Sequence, residues 1–307
     1  MHVVLAGGSG FLGQVLQKKL LAAGDHVTIL TRNAGEILKT NQLQAVEWLK
    51  EGACPEERLR HVDAFVNLAG ESISGFRWTK QKKDQIIKSR MKTTEEIIRL
   101  IDTMESKPQV LINASAVGYY GMSDVDTFTE KSISNANDFL AETVQKWEEK
   151  AAEANRLGVR TVFARFGIIL GRGGALPLMA LPYKFGIGGN IGSGRQWVSW
   201  IHVEDAAQMI KFIIDTPTIE GPFNVTAPNP VRMEEFGKTI ASVLRRPHWL
   251  PVPKIVLKFV LGEMSSMLVN GQPVIPGKAL AQHYDYLYPD LKEALETSLL
   301  LSKITSS

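Results

Sequence analysis

The feature that most constrains this chain is a glycine-rich turn between a strand pattern and a helix pattern near the amino terminus. Residues 7–13 read Gly-Gly-Ser-Gly-Phe-Leu-Gly, after an apolar run over 2–6 and into a helical pattern over 11–23. Glycines permit a tight turn there, and the free N–H groups of a helix N-terminus attract phosphate. The segment therefore predicts a dinucleotide-binding turn. The expected cofactor contacts are Gly7, Ser9, Gly10, Phe11, Leu12 and Gly13.

Strand and helix patterns alternate through the first half of the chain, as in a parallel sheet. Strands are predicted over 2–6, 27–30, 46–49, 64–68, 110–114 and 161–165. Long helices are predicted over 79–104 and 137–155. Together these elements predict an α/β fold, a Rossmann-type doubly wound parallel sheet with a smaller C-terminal substrate lobe.

The pattern changes after Gly167. Residues 167–194 are rich in glycine and contain Pro177 and Pro182, which predicts loop more than regular structure. Farther along, helices are predicted over 203–214 and 233–244, and a strand over 223–225. We expect residues 1–170 to form the NADP-binding domain, with later segments returning to it. Residues 171–307 are then a mixed substrate-binding lobe, with a distinct C-terminal region at about 248–295.

The end of the second strand bears on the choice between NAD and NADP. The strand pattern runs into Thr31, Arg32 and Asn33, without an acidic residue. In NAD-selective sites an acidic side chain at this point holds the ribose hydroxyls. The planar guanidinium of Arg32 suits the 2′-phosphate of NADP instead, and Thr31 offers a further hydrogen bond. NADP is therefore predicted, and the alternative is that Arg32 is an ordinary surface arginine.

The composition argues against several other classes of protein. The chain has 307 residues, a formal net charge of +3 and one cysteine. So small a charge predicts no nucleic-acid partner, and one cysteine excludes an internal disulfide. No apolar stretch reaches the roughly 20 residues that cross a bilayer, and the histidines lack metal-ligand spacing. We expect a cytoplasmic monomer or homodimer with a small-molecule substrate, no membrane partner and no metal.

Further short motifs follow the glycine turn along the chain. They are 66–71 (VNLAGE), Arg77 with Trp78, 88–90 (KSR), 115–121 (SAVGYYG), 165–167 (RFG), 170–171 (LG), 192–194 (GSG), 200–202 (WIH), Asp205 and 274–276 (VIP). With the turn, they resemble the atypical and extended short-chain dehydrogenase/reductase superfamily. Within it, the chain is most similar to the NAD(P)-dependent "epimerase family" proteins that carry a C-terminal domain of unknown function.

The resemblance implies cofactor contacts beyond the glycine turn. These are Leu68, Ala69 and Gly70 on the adenosine–ribose side, Gln85 and Arg90 on the following helix, and Gly167 and Ile169 near the nicotinamide. For each of them a packing role is the alternative to direct contact.

The resemblance also implies a catalytic pattern, from which this chain departs. The superfamily pairs a Ser or Thr with a Tyr-x-x-x-Lys helix, in which the lysine and the cofactor lower the pKa of the tyrosine. Ser115 matches the serine by context. When Glu148 is aligned with the family's helix, however, Leu140 and Val144 occupy the tyrosine and lysine positions. Neither side chain transfers a proton.

Substitutes for the missing pair are conceivable on nearby elements, namely Tyr119, Tyr120 and Lys146. We predict Ser115 and Tyr120 as catalytic residues, with packing as the alternative for Tyr120. Tyr288 and Lys292 have the Tyr-x-x-x-Lys spacing, but Pro289 argues against a continuous helix there.

Two more pairs of residues stand near the expected substrate lobe. A structural role near a helix start is favoured for His202 and Asp205. Trp197 and Trp200 either wall the substrate pocket or pack in the core.

Two classes of function follow from these patterns. The leading hypothesis is an NADP-dependent oxidoreductase or epimerase that acts on a small substrate, with sugar nucleotides as one candidate class. The missing Tyr-x-x-x-Lys motif supports a second hypothesis, an NADP(H)-binding sensor or regulator without turnover. The resemblance includes relatives described as cell-division inhibitors, which fits that class. A scaffold with a vestigial pocket is disfavoured because the glycine turn is intact.

Overall fold

A computed structural model describes residues 1–36, 40–73, 78–134, 138–253, 255, 258–259, 262–265 and 269–300. Its central sheet consists of β1 (His2–Ala6), β2 (His26–Thr31), β3 (Leu43–Glu47), β4 (Ala64–Asn67), β5 (Val110–Ala116), β6 (Arg160–Phe166) and β10 (Gly221–Val225). The spatial order is β3-β2-β1-β4-β5-β6-β10, and every neighbouring pair is parallel. The predicted Rossmann-type sheet is confirmed.

The helices and the remaining short strands surround this sheet. The helices with described bounds are α1 (Phe11–Ala22), α2 (Lys80–Thr103), α3 (Phe139–Ala152), α4 (Leu176–Lys184), α5 (Val203–Asp215), α6 (Met233–Leu244), α7 (Gly277–Ala281) and α8 (Leu291–Leu300). The short strands are β7 (Ile168–Leu170) and β9 (Trp200–His202), which pair in parallel, and β8 (Trp197–Val198) and β11 (Val231–Arg232), which pair antiparallel. No helix within the described residues is long and apolar enough to span a membrane.

The sheet is covered on both faces because successive side chains of a strand point to opposite sides. In β1, Val3 and Leu5 belong to a core cluster with α1 and α5, whereas Val4 belongs to a cluster with α2. Parallel strands buried on both faces read as continuous apolar runs. This explains why the strand patterns were recognisable in the sequence. The carboxyl ends of the strands, where ligands of this architecture bind, are lined by the loops that follow them.

Two predictions about local structure need correction. The third strand is Leu43–Glu47, not 46–49, and the chain leaves it through Leu49, which has φ +53°. Residues 167–194 are mostly loop, as predicted, but two regular elements that the sequence did not indicate, β7 and α4, lie within them. Pro177 stands in the first turn of α4, where a backbone N–H is not needed, and Pro182 stands near its end.

A second core cluster lies beyond the sheet. It joins side chains of α4, α6 and α8 to those of the short strands. Later segments also return to the sheet, since β10 extends it and α5 packs against α1. The division into a cofactor domain and a substrate lobe near residue 170 remains a prediction. Arg77 and the predicted helix start at Asn137 lie outside the described residues.

Candidate functional site

The glycine turn joins β1 to α1 at the carboxyl edge of the sheet. Gly7 has φ +81°, and the Gly10 N–H donates to the Gly7 carbonyl at 3.0 Å. Gly10 directly precedes α1; no described side chain caps this helix, and its first turn has no acidic residue. The first N–H groups of α1 are therefore left for a ligand or solvent, with the positive end of the helix dipole behind them.

Tight packing of the backbone keeps this turn in shape. A Cβ at Gly7 would lie 2.8 Å from the carbonyl carbon of Leu68, and a Cβ at Gly13 would lie 2.3 Å from the Gly7 oxygen. A Cβ at Gly10 would meet only that same oxygen, at 3.2 Å. Gly7 and Gly13 thus allow the turn to pack against β4 and α1, while Gly10 keeps the helix end unobstructed. This cradle fits a dinucleotide pyrophosphate.

Phe11 links the turn to the second half of the chain. A Cβ at Gly171 or at Gly173 would lie 2.5 or 2.6 Å from the Phe11 ring. The backbone after β7 therefore wraps the first residue of α1. Of the other predicted contacts in the turn, Leu12 is buried and Ser9 is exposed, with its carbonyl accepting a hydrogen bond from Gln14 Nε2 at 2.9 Å.

The end of β2 lies on the same edge of the sheet. Thr31 is its last residue, and its Oγ1 accepts a hydrogen bond from the Asn33 N–H at 3.2 Å. Arg32 is exposed. Its charge acts on Glu71, in the loop after β4, and so the two loops lie near each other. This arrangement agrees with a guanidinium beside the adenosine end of a bound dinucleotide.

Cations surround Glu71. Its carboxylate lies 2.6 Å from Lys82 Nζ, and this hydrogen bond lowers the pKa of Glu71, with smaller contributions from Arg32 and Arg90. Arg90 donates to the backbone carbonyls of Glu71 and Ile86 at 3.0 and 3.1 Å. Burial lowers the pKa of Arg90 to about 10, against the attraction of Glu71, so the guanidinium stays charged at neutral pH. With three cations and one carboxylate, this loop carries a positive balance that suits phosphate.

The other predicted cofactor residues are distributed around this edge. Leu68 and Ala69 contact the glycine turn, as the close approach to Gly7 requires, and Gly70 lies beside the Arg90 side chain. The structure thus brings the loop after β4 together with the turn. Contact of these residues with a cofactor stays a prediction.

Three predicted contacts lie farther along the chain. Gln85 is exposed on α2. A Cβ at Gly167 would lie 2.6 Å from the Ser199 carbonyl oxygen, so packing against Ser199 by itself explains the glycine. Ile169, in β7, is half-buried against the core cluster that includes α1.

Two buried polar side chains at the ends of β5 and β6 bond to the same carboxylate, that of Glu148 on α3. Ser115 Oγ donates to Glu148 Oε1 at 2.5 Å, and Arg165 donates through Nε and Nη2 to the two Glu148 oxygens at 2.8 and 2.7 Å. All three residues are at most 6% exposed. The Ser115 proton is therefore already held by a carboxylate. These contacts favour a structural role for Ser115, and its catalytic role remains a prediction.

The two tyrosines after β5 differ in their surroundings. Tyr120 is buried and its hydroxyl donates to Asn224 Oδ1 at 2.7 Å, while burial raises its pKa. Tyr119 is half-buried, its ring lies 3.4 Å from the Arg165 guanidinium carbon, and no described residue hydrogen-bonds its hydroxyl. The contacts of Tyr120 favour the packing alternative over the predicted catalytic role. Tyr119 is the tyrosine whose hydroxyl is available.

The positions of the missing dyad lie on α3. Leu140 is half-buried and stands 4.0 Å from the place of a Cβ on Gly118, next to Tyr119, and Val144 is buried. Lys146 is exposed on the same helix. An apolar side chain therefore stands beside the segment that carries Tyr119.

Tyr288 and Lys292 do not form a substitute pair. Tyr288 packs on the His202 ring, with ring centroids 4.0 Å apart, whereas the Lys292 side chain is two-thirds exposed on α8. Pro289 separates Tyr288 from the helix.

His202 and Asp205 organise the start of α5. His202 precedes the helix and accepts a hydrogen bond from the Glu204 N–H at 3.3 Å; burial lowers its pKa to about 4. The Asp205 carboxylate accepts from the N–H groups of Leu287 and Tyr288 at 2.8 and 2.9 Å. These contacts agree with the structural role favoured from the sequence.

The two tryptophans near β9 also differ. Trp200 is buried in the second core cluster. Trp197 is half-buried and its indole N–H donates to the Asp124 carbonyl at 3.1 Å. Within the described part of the chain, no group of three or more His, Cys, Asp or Glu side chains is arranged to hold a metal ion.

Comparison with known proteins identifies the family. Residues 3–226 match the model of the NAD dependent epimerase/dehydratase family. The chain belongs to this family. A second model, a domain of unknown function (DUF1731), matches residues 252–298. Both parts of the resemblance seen in the sequence are thereby confirmed.

Whole-length relatives carry the same family name. An epimerase family protein of Bacillus subtilis (strain 168), YfhF, is 54% identical over 295 residues, covering 96% of this chain and 97% of the relative. One from Staphylococcus saprophyticus is 41% identical over 297 residues, covering 96% and 98%.

Two solved structures of epimerase proteins are also similar. The human epimerase family protein SDR39U1 (isoform 2), crystallised with NADPH, has a TM-score of 0.85 at 33% identity and covers 97% of this chain and 99% of its own. A nucleoside-diphosphate sugar epimerase from Corynebacterium glutamicum has a TM-score of 0.78 at 28% identity, covering 97% and 58%.

Sequence reasoning missed the pairing of Glu148 with Arg165. Glu148 served only to align α3, although it stands on the helix face that also buries Val144 and Ala151. Arg165 directly follows the apolar run 162–164 of strand β6. Charged residues at two apolar positions are a signal, because buried charges are nearly always paired.

Proposed function

We propose that this protein binds NADP(H) and catalyses an oxidoreductase or epimerase reaction on a small carbonyl or sugar-nucleotide substrate. The observation that carries the proposal is the uncapped N-terminus of α1 behind the narrow glycine turn. Family membership supports nicotinamide-dependent chemistry, and the NADPH in the human relative supports the phosphorylated cofactor. The Corynebacterium relative supports sugar nucleotides as a substrate class.

Each part of the cofactor has candidate partners in this chain. Backbone N–H groups of the glycine turn would hold the pyrophosphate, and Arg32 with Thr31 would hold the 2′-phosphate. Leu68, Ala69 and Gly70 would line the adenosine ribose. A bound nicotinamide supplies a site that accepts or donates hydride. The protein residues then have to orient the substrate and exchange a proton with it.

Tyr119 is our candidate for that proton exchange. Its hydroxyl is available, and its ring lies on the Arg165 guanidinium. Arg165 thereby places a cation next to the Tyr119 ring, as the lysine does beside the tyrosine in the Tyr-x-x-x-Lys pair. The salt bridge with Glu148 holds Arg165 in place at 2.7 Å. Arg165 is therefore a positioning residue, and Tyr119 replaces the absent tyrosine.

A second candidate function is an NADP(H) sensor without turnover. Leu140 and Val144 favour it, because they remove the usual proton-transfer pair. The bonds of Ser115 to Glu148 and of Tyr120 to Asn224 favour it further.

A substrate screen separates the two functions. The NADPH-loaded protein is incubated with sugar nucleotides and carbonyl compounds, and nicotinamide absorbance and product isomers are both measured. Isomers matter because an epimerase that returns its hydride causes no net redox change. NADPH binding with turnover supports the enzyme, whereas tight binding without turnover over the panel supports the sensor.

Paired variants test the proton-exchange role. Tyr119→Phe should lower turnover by at least about 100-fold with unchanged NADPH affinity, since general acid–base groups contribute 10²–10⁴-fold. Tyr120→Phe is the matched control and should keep most of the turnover. Ser115→Ala tests the predicted role of that serine. Equal activity of Tyr119→Phe and wild type would remove Tyr119 from the mechanism.

A further inference from the structure

Helix α4 is apolar on two opposite faces. Leu176, Ala180 and Tyr183 are buried in the second core cluster, whereas Leu178 and Leu181 on the other face are 67% and 45% exposed. A surface helix normally turns polar residues to water, and a helix that is apolar all round is buried or faces lipid. The outer side of α4 therefore calls for an apolar environment.

A second segment extends this exposed surface. Trp249 donates through its backbone N–H to the Gly188 carbonyl and through its indole N–H to the Gly186 carbonyl, both at 2.9 Å. Residues 249–250 are thereby held beside the end of α4. The combined surface, which we call the apolar face, comprises Leu178, Leu181, Phe185, Ile187, Trp249 and Leu250, all exposed. Contiguous apolar patches of this kind mark interaction sites.

The two stretches of chain that supply the apolar face carry charges of one sign. Residues 154–203 and 236–262 contain no Asp or Glu. The exposed cations within these two stretches include Lys184, Arg245 and Arg246. Glu234, a carboxylate in charge contact with His248, is paired with Lys238 at 2.6 Å. The face is thus apolar with a basic rim.

This charge pattern narrows the choice of occupant. A second copy of the chain would bring two basic rims together across a two-fold interface, without acidic partners of their own. A nucleic acid would match the charge but would leave the aliphatic side chains unused. Phospholipid with anionic headgroups satisfies both requirements, because exposed aromatic and aliphatic groups enter the headgroup boundary while Lys and Arg bind the headgroups.

We propose that the apolar face docks this protein on the surface of a bilayer that contains anionic phospholipid. Trp249 fits such a boundary, since indole rings prefer the membrane interface. The expectation of no membrane partner rested on the lack of a spanning segment, and docking on the surface requires none. The proposal does not depend on the proposed enzymatic activity.

Vesicle co-sedimentation tests this surface. The full chain is mixed with vesicles of phosphatidylglycerol and phosphatidylcholine in equal parts, and with vesicles of phosphatidylcholine alone. We expect binding to the first only, weakened by salt. Phe185→Ser with Trp249→Ser should lower the binding constant by about tenfold or more, and Lys184→Glu with Arg246→Glu by more than about tenfold, at roughly fivefold per cation.

Matched variants control for folding and for general charge. Val125→Ser removes a different exposed apolar side chain, Lys18→Glu with Lys131→Glu reverses exposed charges elsewhere, and both should bind vesicles like wild type. NADPH affinity should be unchanged in every variant. No binding of wild type to the anionic vesicles overturns the proposal, as does equal binding by the apolar-face variants. The proposal also fails if light scattering shows that the apolar-face substitutions change only the oligomeric state, from dimer to monomer.

Discussion

The two halves of the candidate site treat their polar groups in opposite ways. At the β1–α1 turn, backbone N–H groups stand without a cap and small residues keep the space in front of them clear. At the ends of β5 and β6, Ser115 and Arg165 both bond to Glu148, and Tyr120 bonds to Asn224. The β1–α1 turn, which we call the open end, therefore leaves polar groups available to a ligand. The cluster of Ser115, Tyr120, Glu148 and Arg165, which we call the closed end, uses its polar groups for bonds within the protein.

At this edge of the sheet, the glycine turn therefore serves ligand binding, and the buried cluster serves the stability of the fold. An uncapped helix end costs little folding free energy where water can bond its N–H groups, and these groups stay available to bind an anion. A buried charge needs a partner within the protein, because burying an unpaired charge costs folding free energy. Substitutions at the closed end should therefore affect folding most, and substitutions at the open end should affect ligand binding most.

The largest effect is expected at the closed end. Glu148→Gln leaves the Arg165 charge buried without its carboxylate, and breaking such a pair typically costs about 3–5 kcal/mol of unfolding free energy. Urea unfolding measures the loss. Glu149→Gln, its exposed neighbour, is the control and should stay close to wild type. A similar small loss in both variants would show that the closed end is not the rigid part.

At the open end, Gly13→Ala should abolish tight cofactor binding with little effect on the rest of the fold. The new Cβ would lie 2.3 Å from the Gly7 oxygen and 2.7 Å from the Gly8 Cα, so the turn must move. We expect NADPH affinity to fall about 100-fold, as for a displacement of about 1 Å in a preorganised site. Calorimetry measures the affinity. Gly35→Ala, which meets no atom within 4 Å, is the control, and unchanged binding by Gly13→Ala would contradict the assignment.

The buried side chain of His202, before α5, should make the stability of the protein depend on pH. Its pKa is about 4 in the folded protein, against 6.5 for the free side chain, because burial disfavours the charged ring. Between these values the unfolded chain binds the proton, so stability is full above pH 6.5 and falls as the pH is lowered toward 4.

Expressed as unfolding free energy, His202 should account for a loss of about 2 kcal/mol between about pH 7 and pH 5. His202→Asn keeps a helix cap and removes the titration, and so its stability should decline less over this range. His26→Asn, at an exposed position, should decline like wild type. If the unfolding free energy falls equally with pH in wild type, His202→Asn and His26→Asn, His202 does not cause the pH dependence.

The smallest effect concerns cofactor choice at the open end. Arg32→Asp should weaken NADPH binding by about tenfold or more, the value of a charge-assisted contact to phosphate, and NADH binding by less. Titration with both nucleotides measures the difference. Arg58→Asp is a control at another exposed arginine. Equal losses for the two nucleotides would defeat the 2′-phosphate assignment.

The fold was more predictable from the sequence than the catalytic end of the site. Strands β1 and β5 contain the apolar runs 3–6 and 110–112, and Gly7 to Gly13 mark a strand–helix junction within seven residues, so both signals are local. The elements after Gly167 were less visible. Helix α4 carries two prolines, and only its position against α6 explains which of its faces is buried.

The amino-acid sequence alone determined the parallel architecture, the dinucleotide turn and the absence of a Tyr-x-x-x-Lys pair on α3, because these depend on periodicity and on spacing within single elements. Only the tertiary structure decided that Glu148 pairs with Arg165, that Tyr120 is bonded to Asn224 while Tyr119 is available, and that an apolar face is left on α4. Tyr120 and Asn224 are 104 residues apart. Contacts over such separations follow from how the sheet and helices pack, and no local pattern in the chain records them.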